Sequence, residues 1–153
     1  MYESVKKIQN GEGYAKADQG NRIYLFFKRT IDILGSGFGL IILSPILLIV
    51  AIAIKIEDHK GSILFSQKRV GQYGKEFNMY KFRSMVSNAE ELKAKLMEQN
   101  EMSGPMFKMK HDPRITKVGK FIRKTSIDEL PQLINILKGE MSLVGPRPSL
   151  PKE

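Results

Sequence analysis

Asp128 and Glu129 stand side by side in the stretch KTSIDELPQLINILKG, Lys124 to Gly139. Adjacent carboxylates with open lone pairs can hold a divalent cation together with a phosphorylated ligand. A carboxylate can also attack phosphorus and form an acyl phosphate. The ordinary reading of the same residues is helix punctuation. Ser126 and Glu129 have the S-x-x-E spacing of a capping box, and acids in a first turn complement the helix dipole. Leu130, Leu133, Ile134 and Leu137 fall at i, i+3, i+4 and i+7, one apolar face. Lys138 and Gly139 then form a C-terminus.

Pro131 separates the two readings. With Ser126 as N-cap, the proline would be the fifth helical residue, where an N–H should already be bonded. With Asp128 as N-cap it is the third, where no intrahelical N–H is needed. The proline therefore predicts a helix that opens at Asp128–Glu129. Both acids would sit at its positive end near Arg123 and Lys124, which favour the ionised forms.

Other chemistry-bearing residues are less pointed. His59 and His111 have no ligand spacing and read as surface positions. Neither a P-loop nor a G-x-G-x-x-G fingerprint occurs. The GQYGK turn reads as a simple hairpin. Lys81 and Arg83 in YKFRSM are either a solvated strand face or phosphate partners.

The elements that must position these groups begin with an apolar run. From Ile33 to Ile54 there are 22 residues without a charge, long enough for a membrane-embedded helix and without the polar stripe of a soluble one. Pro45, after Ser44, removes a hydrogen bond and clashes with the preceding turn, so a kink or break is expected there. Each half would be roughly 15–18 Å long at 1.5 Å per residue, while a hydrocarbon core measures ~30 Å. The Ser44 hydroxyl is suited to satisfy a carbonyl freed by the proline. Lys28 and Arg29 precede the run, Lys55 and Lys60 follow it, and Lys6, Lys7, Lys16 and Arg22 lie upstream. Positive charge marks the cytoplasmic side, and here both flanks are positive. A helix–break–helix hairpin on one face satisfies both; a kinked spanning helix and a buried core helix are the alternatives. Asp32 at the entry is expected to pair with Arg29 or Lys28.

Around this run, residues 1–27 read as a polar leader without the apolar region of a signal peptide. Residues 57–153 read as a cytosolic domain. GSILFSQKRVGQYGKEFNMYKFRSM is a strand pair with Ile63 and Phe65 alternating, and with Gly71 and Gly74 bracketing the turn. SNAEELKAKLMEQNE is a polar helix with Ser87 or Asn88 as N-cap, broken by Ser103–Pro105. The stretch from Lys108 to Lys124 is strongly basic. The expected fold is α+β and membrane-associated: a Ser-Pro-broken re-entrant helix over 28–56, then a small domain of helices with a short β-hairpin.

Composition narrows the class. The 153 residues carry 25 Lys+Arg against 16 Asp+Glu, a net charge of +9, and no cysteine. The charge implies an anionic partner such as nucleic acid, phospholipid or a phosphorylated small molecule. The lack of cysteine excludes a disulfide framework and a thiolate metal site. The apolar run and the absence of a basic recognition helix with aromatics speak against nucleic acid.

The ordered segments KRTIDILGSGFGLIILSPILLIVAIAIKIE, GSILFSQKRVGQYGKEFNMYKFRSM, DPRITKVGKFIRKTSIDELPQL and KGEMSLVGPRP resemble the bacterial sugar transferases, the monotopic polyprenyl-phosphate phosphoglycosyl transferases. The match covers Phe27 to Pro148, about four-fifths of the chain. The resemblance implies a Ser44–Pro45 re-entrant anchor at the cytoplasmic face of the bacterial inner membrane. It implies Asp128 as the nucleophile on the β-phosphate of a UDP-sugar, with release of UMP, and polyprenyl phosphate as the acceptor. It further implies Mg²⁺ held by Glu129 and Asp128, a nucleotide-linked motif at Pro146, Arg147 and Pro148, and phosphate partners at Lys81, Arg83 and Arg123. A homodimer is a further expectation. Two departures accompany it: Glu140 stands where the family usually has Asp, and family members usually continue past Pro-Arg-Pro through a further region. The second raises the alternative of a catalytically weak or inactive membrane-anchored relic that binds UDP-sugar or lipid.

Overall fold

The computed structural model describes residues 22–71, 74–96 and 112–151. In chain order these form α1 (Arg22–Glu57), β1 (Leu64–Val70), β2 (Glu76–Phe82), α2 (Ala89–Leu96), α3 (Lys117–Lys124), a 3₁₀ turn (Ile127–Glu129) and α4 (Gln132–Lys138). The two strands pair as a single two-stranded sheet. The architecture is α+β, as expected. Lys108, Lys110, His111, the Ser103–Pro105 break and most of the leader lie outside the described residues.

Helix α1 is 36 residues long and begins inside the stretch read as leader. It runs through Pro45 with no interruption of helical structure, so the expected break is not a break in the helix. It is long and apolar enough to cross a membrane, and only 11% of its most apolar window is buried. A core helix of a soluble protein would be mostly covered. Ile41, Leu48, Ile49 and Ile52 are instead exposed, and such a stretch of apolar surface marks an interaction site.

The chain divides into two compact units, with a boundary between Leu43 and Ser44 inside α1. The first comprises the chain up to Leu43, Ser66–Tyr80 and Pro131–Glu153. Here the head of α1 clamps the segment that follows α4. Arg29 donates from Nη1 to the Ile136 carbonyl and from Nη2 to the Leu137 carbonyl, both at 2.6 Å. These carbonyls belong to the last turn of α4, which a cation suits. Lys28 donates to Ser142 Oγ at 2.8 Å and to the Val144 carbonyl. Asp32, only 5% exposed, accepts from Ser142 Oγ at 3.0 Å and from the Leu143 N–H at 2.9 Å. The expected pairing of Asp32 with Arg29 or Lys28 is thus replaced by contacts 110 residues away.

The same unit has a polar staple at its centre. Asn135 is fully buried. Its Oδ1 accepts from the Tyr80 N–H at 3.0 Å, and its Nδ2 donates to the Asn78 carbonyl at 2.8 Å and to Glu140. One side chain thus satisfies a donor and an acceptor on the edge of β2, as a neighbouring strand would. Gly139 ends α4 at φ 85°, the left-handed C-cap that its position foretold.

The second unit comprises Ser44–Phe65 and Lys81–Leu130. Its core gathers Val50 and Ile54 of α1, Phe82 of β2 and Ile122 of α3, with Ile63, Val118 and Ile127 packed around them. Ile63 therefore serves the core, whereas Phe65 is exposed, so the alternation expected there is only half realised. Glu57, at the end of α1, accepts from the Lys117 N–H at 2.7 Å and the Val118 N–H at 2.9 Å. Thr116 caps the same helix by accepting from the Gly119 N–H. A Cβ at Gly119 would overlap the Ser84 carbonyl, so α3 sits closer to that strand end than any other residue permits.

Candidate active site

The dyad does not open an α-helix. Asp128 and Glu129 lie on the 3₁₀ turn, Pro131 occupies the N-cap position of α4, and α4 starts at Gln132. Pro131 thus tolerates its missing N–H even more readily than at the third helical position. Ser126 precedes the turn in the left-handed region, φ 57°, and makes no side-chain cap bond. The capping box is therefore absent. The apolar face expected of Leu133, Ile134 and Leu137 is only half-buried; Asn135 and Ile136 are the helix's buried residues.

Both carboxylates are partly buried, and β2 and α3 bring cations to them. Lys81, at the end of β2, places Nζ 2.8 Å from Glu129 Oε1. Burial pushes the Asp128 carboxyl above the ordinary aspartate value; Lys81 pulls it down, Glu129 pushes it up and Arg123 pulls it down more weakly. The expectation that basic neighbours would dominate is overturned for Asp128: desolvation disfavours its charged form by more than the cations favour it. Arg123 is held at the end of α3 by a 2.8 Å hydrogen bond from Nε to Ser84 Oγ.

Arg83 faces elsewhere. Its Nη1 lies 3.2 Å from Asp58 Oδ2 and its Nη2 donates to the Asp58 carbonyl at 2.7 Å. Asp58 also accepts from the Ser87 N–H, so the pair ties the exit of α1 to the start of α2. Pro146, Arg147 and Pro148 belong to the first unit. There the chain returns to β1: the Val70 N–H donates to the Ser149 carbonyl at 3.0 Å, and Arg69 reaches the Pro148 carbonyl. Arg147 itself is exposed. Ser44 and Pro45 lie within α1 at the start of the second unit's share of it.

Three of these contacts carry no sequence signal. Lys81 and Glu129 are 48 positions apart, Arg123 and Ser84 39 apart, and Arg83 and Asp58 25 apart. No periodicity links such residues; only the hairpin and the packing of α3 join them.

Among the described residues, no group of three or more His, Cys, Asp or Glu is placed to hold a metal. A preformed all-protein cage is therefore absent from that part of the chain. Two adjacent carboxylates suit a hard cation that takes its remaining oxygens from phosphate and water, the usual manner of Mg²⁺.

A family model described as bacterial sugar transferase matches residues 23–153. The chain belongs to the bacterial sugar transferase family. Relatives within the family include a galactosyl transferase, CpsE, of Streptococcus agalactiae, 52% identical over 94% of this chain and 32% of its own length. An undecaprenyl-phosphate galactose phosphotransferase of Salmonella typhimurium is 50% identical over 84% of this chain and 27% of its own length. A UDP-glucose:undecaprenyl-phosphate glucose-1-phosphate transferase of Klebsiella pneumoniae is 47% identical over 84% of this chain and 25% of its own length. This sugar transferase sequence thus spans between a quarter and a third of the length of those relatives.

Proposed function

We propose that this chain carries the phosphoglycosyl-transfer centre of its family: it moves a sugar 1-phosphate from a UDP-sugar to polyprenyl phosphate through an aspartyl intermediate. The observation that carries the reading is the dyad itself. Asp128 is a half-buried carboxylate beside Glu129, whose own carboxylate is held by Lys81, with Arg123 near enough to act on Asp128 electrostatically.

In the first step an Asp128 carboxylate oxygen attacks the β-phosphorus of the UDP-sugar. The bond from that phosphorus to the bridging oxygen breaks, and UMP leaves with the electron pair. In the second step a phosphate oxygen of polyprenyl phosphate attacks the same phosphorus. The bond to Asp128 breaks, regenerating the carboxylate and releasing polyprenyl diphosphate sugar. Burial of Asp128 favours this chemistry, because a poorly solvated carboxylate has less water to shed before attack. Lys81 and Arg123 supply positive charge where the phosphoryl oxygens gather negative charge. A bound Mg²⁺, held by Asp128, Glu129 and substrate oxygens, would neutralise diphosphate charge. Arg147 is the candidate for the nucleotide in the first unit, and Arg83 acts through the order it gives the exit of α1.

The membrane reading is a same-side anchor at the cytoplasmic face, with α1 continuous through Ser44–Pro45. What supports it is that each half of α1 packs against chain that follows it. Lys28, Arg29 and Asp32 grip residues 136–144, and Val50 and Ile54 pack on Phe82 and Ile122. A spanning helix would leave one end with no later segment on its side to grip. An anchor of this kind holds the site at headgroup level, where the lipid acceptor resides.

The test is UMP release by the chain in nanodiscs with polyprenyl phosphate, Mg²⁺ and a panel of UDP-sugars. Release that is lost in Asp128→Asn supports the mechanism. Normal release by that variant rules out the nucleophile, and UDP-sugar binding with no UMP from the parent chain leaves a binding protein.

A further inference from the structure

Lys81 and Ser84 stand three positions apart on the segment that ends β2 and runs on past it. Lys81 reaches Glu129 itself. Ser84 reaches the dyad at one remove, through Arg123, whose Nε donates to the Ser84 Oγ at 2.8 Å. Ser84 is only 8% exposed, whereas Arg123 is an exposed residue. A buried hydroxyl thus grips one edge of an otherwise accessible guanidinium.

The backbone under that hydroxyl is fixed on its own account. The Thr116 N–H donates to the Ser84 carbonyl at 3.2 Å, the Val86 N–H donates to the Arg114 carbonyl at 2.9 Å, and Met85 bridges to Ile115. Thr116 is the N-cap of α3 and Arg123 lies in its last turn. The carbonyl of Ser84 therefore holds the start of α3 and its side chain holds the end. The two tasks are separable, because loss of the hydroxyl leaves the carbonyl in place.

A guanidinium offers its N–H donors as a rigid fork with two usable sides, Nε with one Nη or the two Nη groups together. Ser84 occupies Nε, which leaves the side made by Nη1 and Nη2. Among the described residues, neither Nη group has a hydrogen bond or ion pair. Two carboxylates feel the charge of Arg123. Asp112 is held low first by its hydrogen bond with Arg114 and more weakly by Arg123. Arg114 already supplies both Asp112 oxygens, from Nε at 2.9 and 3.2 Å and from Nη2 at 2.6 Å. The other carboxylate is Asp128. The unused side of the fork is thus left for an oxyanion at the dyad, and a phosphoryl group accepts such a fork at two oxygens.

We propose that Ser84 is a positioning residue for the transfer: by holding Nε it aims the Nη1–Nη2 edge of Arg123 at non-bridging oxygens of the phosphoryl group that Asp128 attacks. The proposal rests on the phosphoryl-transfer reading of the dyad and adds what sets its geometry. A tethered guanidinium is ordered before substrate arrives, so its charge stabilises the transition state without first being oriented. One strand end then supplies both cations of the site, Lys81 directly and Arg123 by way of Ser84.

The experiment measures UMP release by the full chain in nanodiscs with UDP-sugar, polyprenyl phosphate and Mg²⁺, together with the melting temperature of each variant. Ser84→Ala should lower kcat about tenfold, the worth of one hydrogen bond to a charged group, with KM and melting temperature unchanged. Ser84→Thr keeps the acceptor and should restore the rate. In an Arg123→Lys background, which has no Nε–H to hold, Ser84→Ala should cost nothing further, the non-additivity expected of residues acting through one contact. An unchanged kcat in Ser84→Ala overturns the proposal. An equal loss in the Arg123→Lys background also overturns it, since the hydroxyl then acts elsewhere. So does a loss that tracks a lower melting temperature and is not restored by Ser84→Thr. Normal release by Asp128→Asn, with Ser84 and Arg123 still coupled, removes the nucleophile and leaves the positioning role standing. No release by the parent chain overturns both.

Discussion

The ammonium of Lys81 lies 2.8 Å from Glu129 Oε1 and also lowers the proton affinity of Asp128, so one strand-end cation serves both members of the dyad. Lys81→Met removes that charge without removing the stem. The Asp128 carboxyl then moves further upward, and the acid limb of the UMP-release profile shifts to higher pH. Turnover should fall by about 10²-fold, the usual loss when one preorganised donor is deleted. An unchanged profile and rate in Lys81→Met would show that the pair is structural only.

Asp128 lies above the ordinary aspartate value in the folded chain because burial disfavours its charge. Its contribution to stability is fully present below the unfolded value and is lost as pH rises through the folded one. At pH 7 the ionised group is a net cost to the fold. Asp128→Asn should therefore melt higher than the parent at pH 7, with the gap narrowing toward pH 4, while UMP release disappears. Calorimetry across that range checks the sign; a variant that melts lower at neutral pH contradicts it.

Asp112 and Arg114 form a buried ion pair at 2.6 Å, with side chains 7% and 6% exposed. Hydrogen bonding to Arg114 holds the Asp112 carboxyl below its ordinary value, so this contribution is present above the unfolded value and fails as pH falls through the folded one. Arg114→Met should cost about 3–5 kcal/mol, because it strands a buried charge. Adding Asp112→Asn should recover part of the loss. Denaturant titration of the two variants decides, and equal stability of single and double variants would mean the charge was never desolvated.

Asp32 accepts the Leu143 N–H and the Ser142 hydroxyl on the way to Pro-Arg-Pro. Asp32→Leu should raise amide exchange at Leu143 by at least about tenfold, the equivalent of one lost charge-assisted hydrogen bond. If this segment orders Arg147 for nucleotide, the Kd for UDP-sugar rises with it. Exchange at Leu143 that stays slow would place the order of the loop elsewhere.

The same-side anchor predicts the labelling of its two ends. Ile23→Cys and Ser62→Cys, each the sole cysteine of the chain, should resist an impermeant maleimide added outside intact spheroplasts and react after lysis. Labelling of one end alone would make α1 a spanning helix.

Much of this was legible in the sequence because the causes are local. Gly71 and Gly74 announced the hairpin: the Gly71 N–H bonds the Lys75 carbonyl and Gly74 takes φ 72°. The charge-free run announced α1, and Gly139 its cap. The start of α4 was misplaced because Pro131 is compatible with several helical positions, and the left-handed turn at Ser126, which separates the dyad's 3₁₀ turn from α3, has no glycine to betray it. The environment of Asp128 was misjudged because charges can be counted along a chain while desolvation depends on how the folded chain covers the carboxylate. Asp32 was paired with the wrong neighbours and Asn135 passed for an ordinary polar residue, since the partners of both include distant backbone groups that any sequence would offer.

In the proposed membrane anchor, the clamp at the head of α1 bears on how orientation is acquired during synthesis. Lys28 and Arg29 look like freely hydrated charges that tell the insertion machinery which side to keep them on. Once residues 136–144 have folded, their cations are bound to the carbonyls of Ile136, Leu137 and Val144. Flipping the helix would then require unfolding the domain as well as moving two charges through lipid. The first choice of side is electrostatic and reversible; the grip of the later polypeptide converts it into a ratchet.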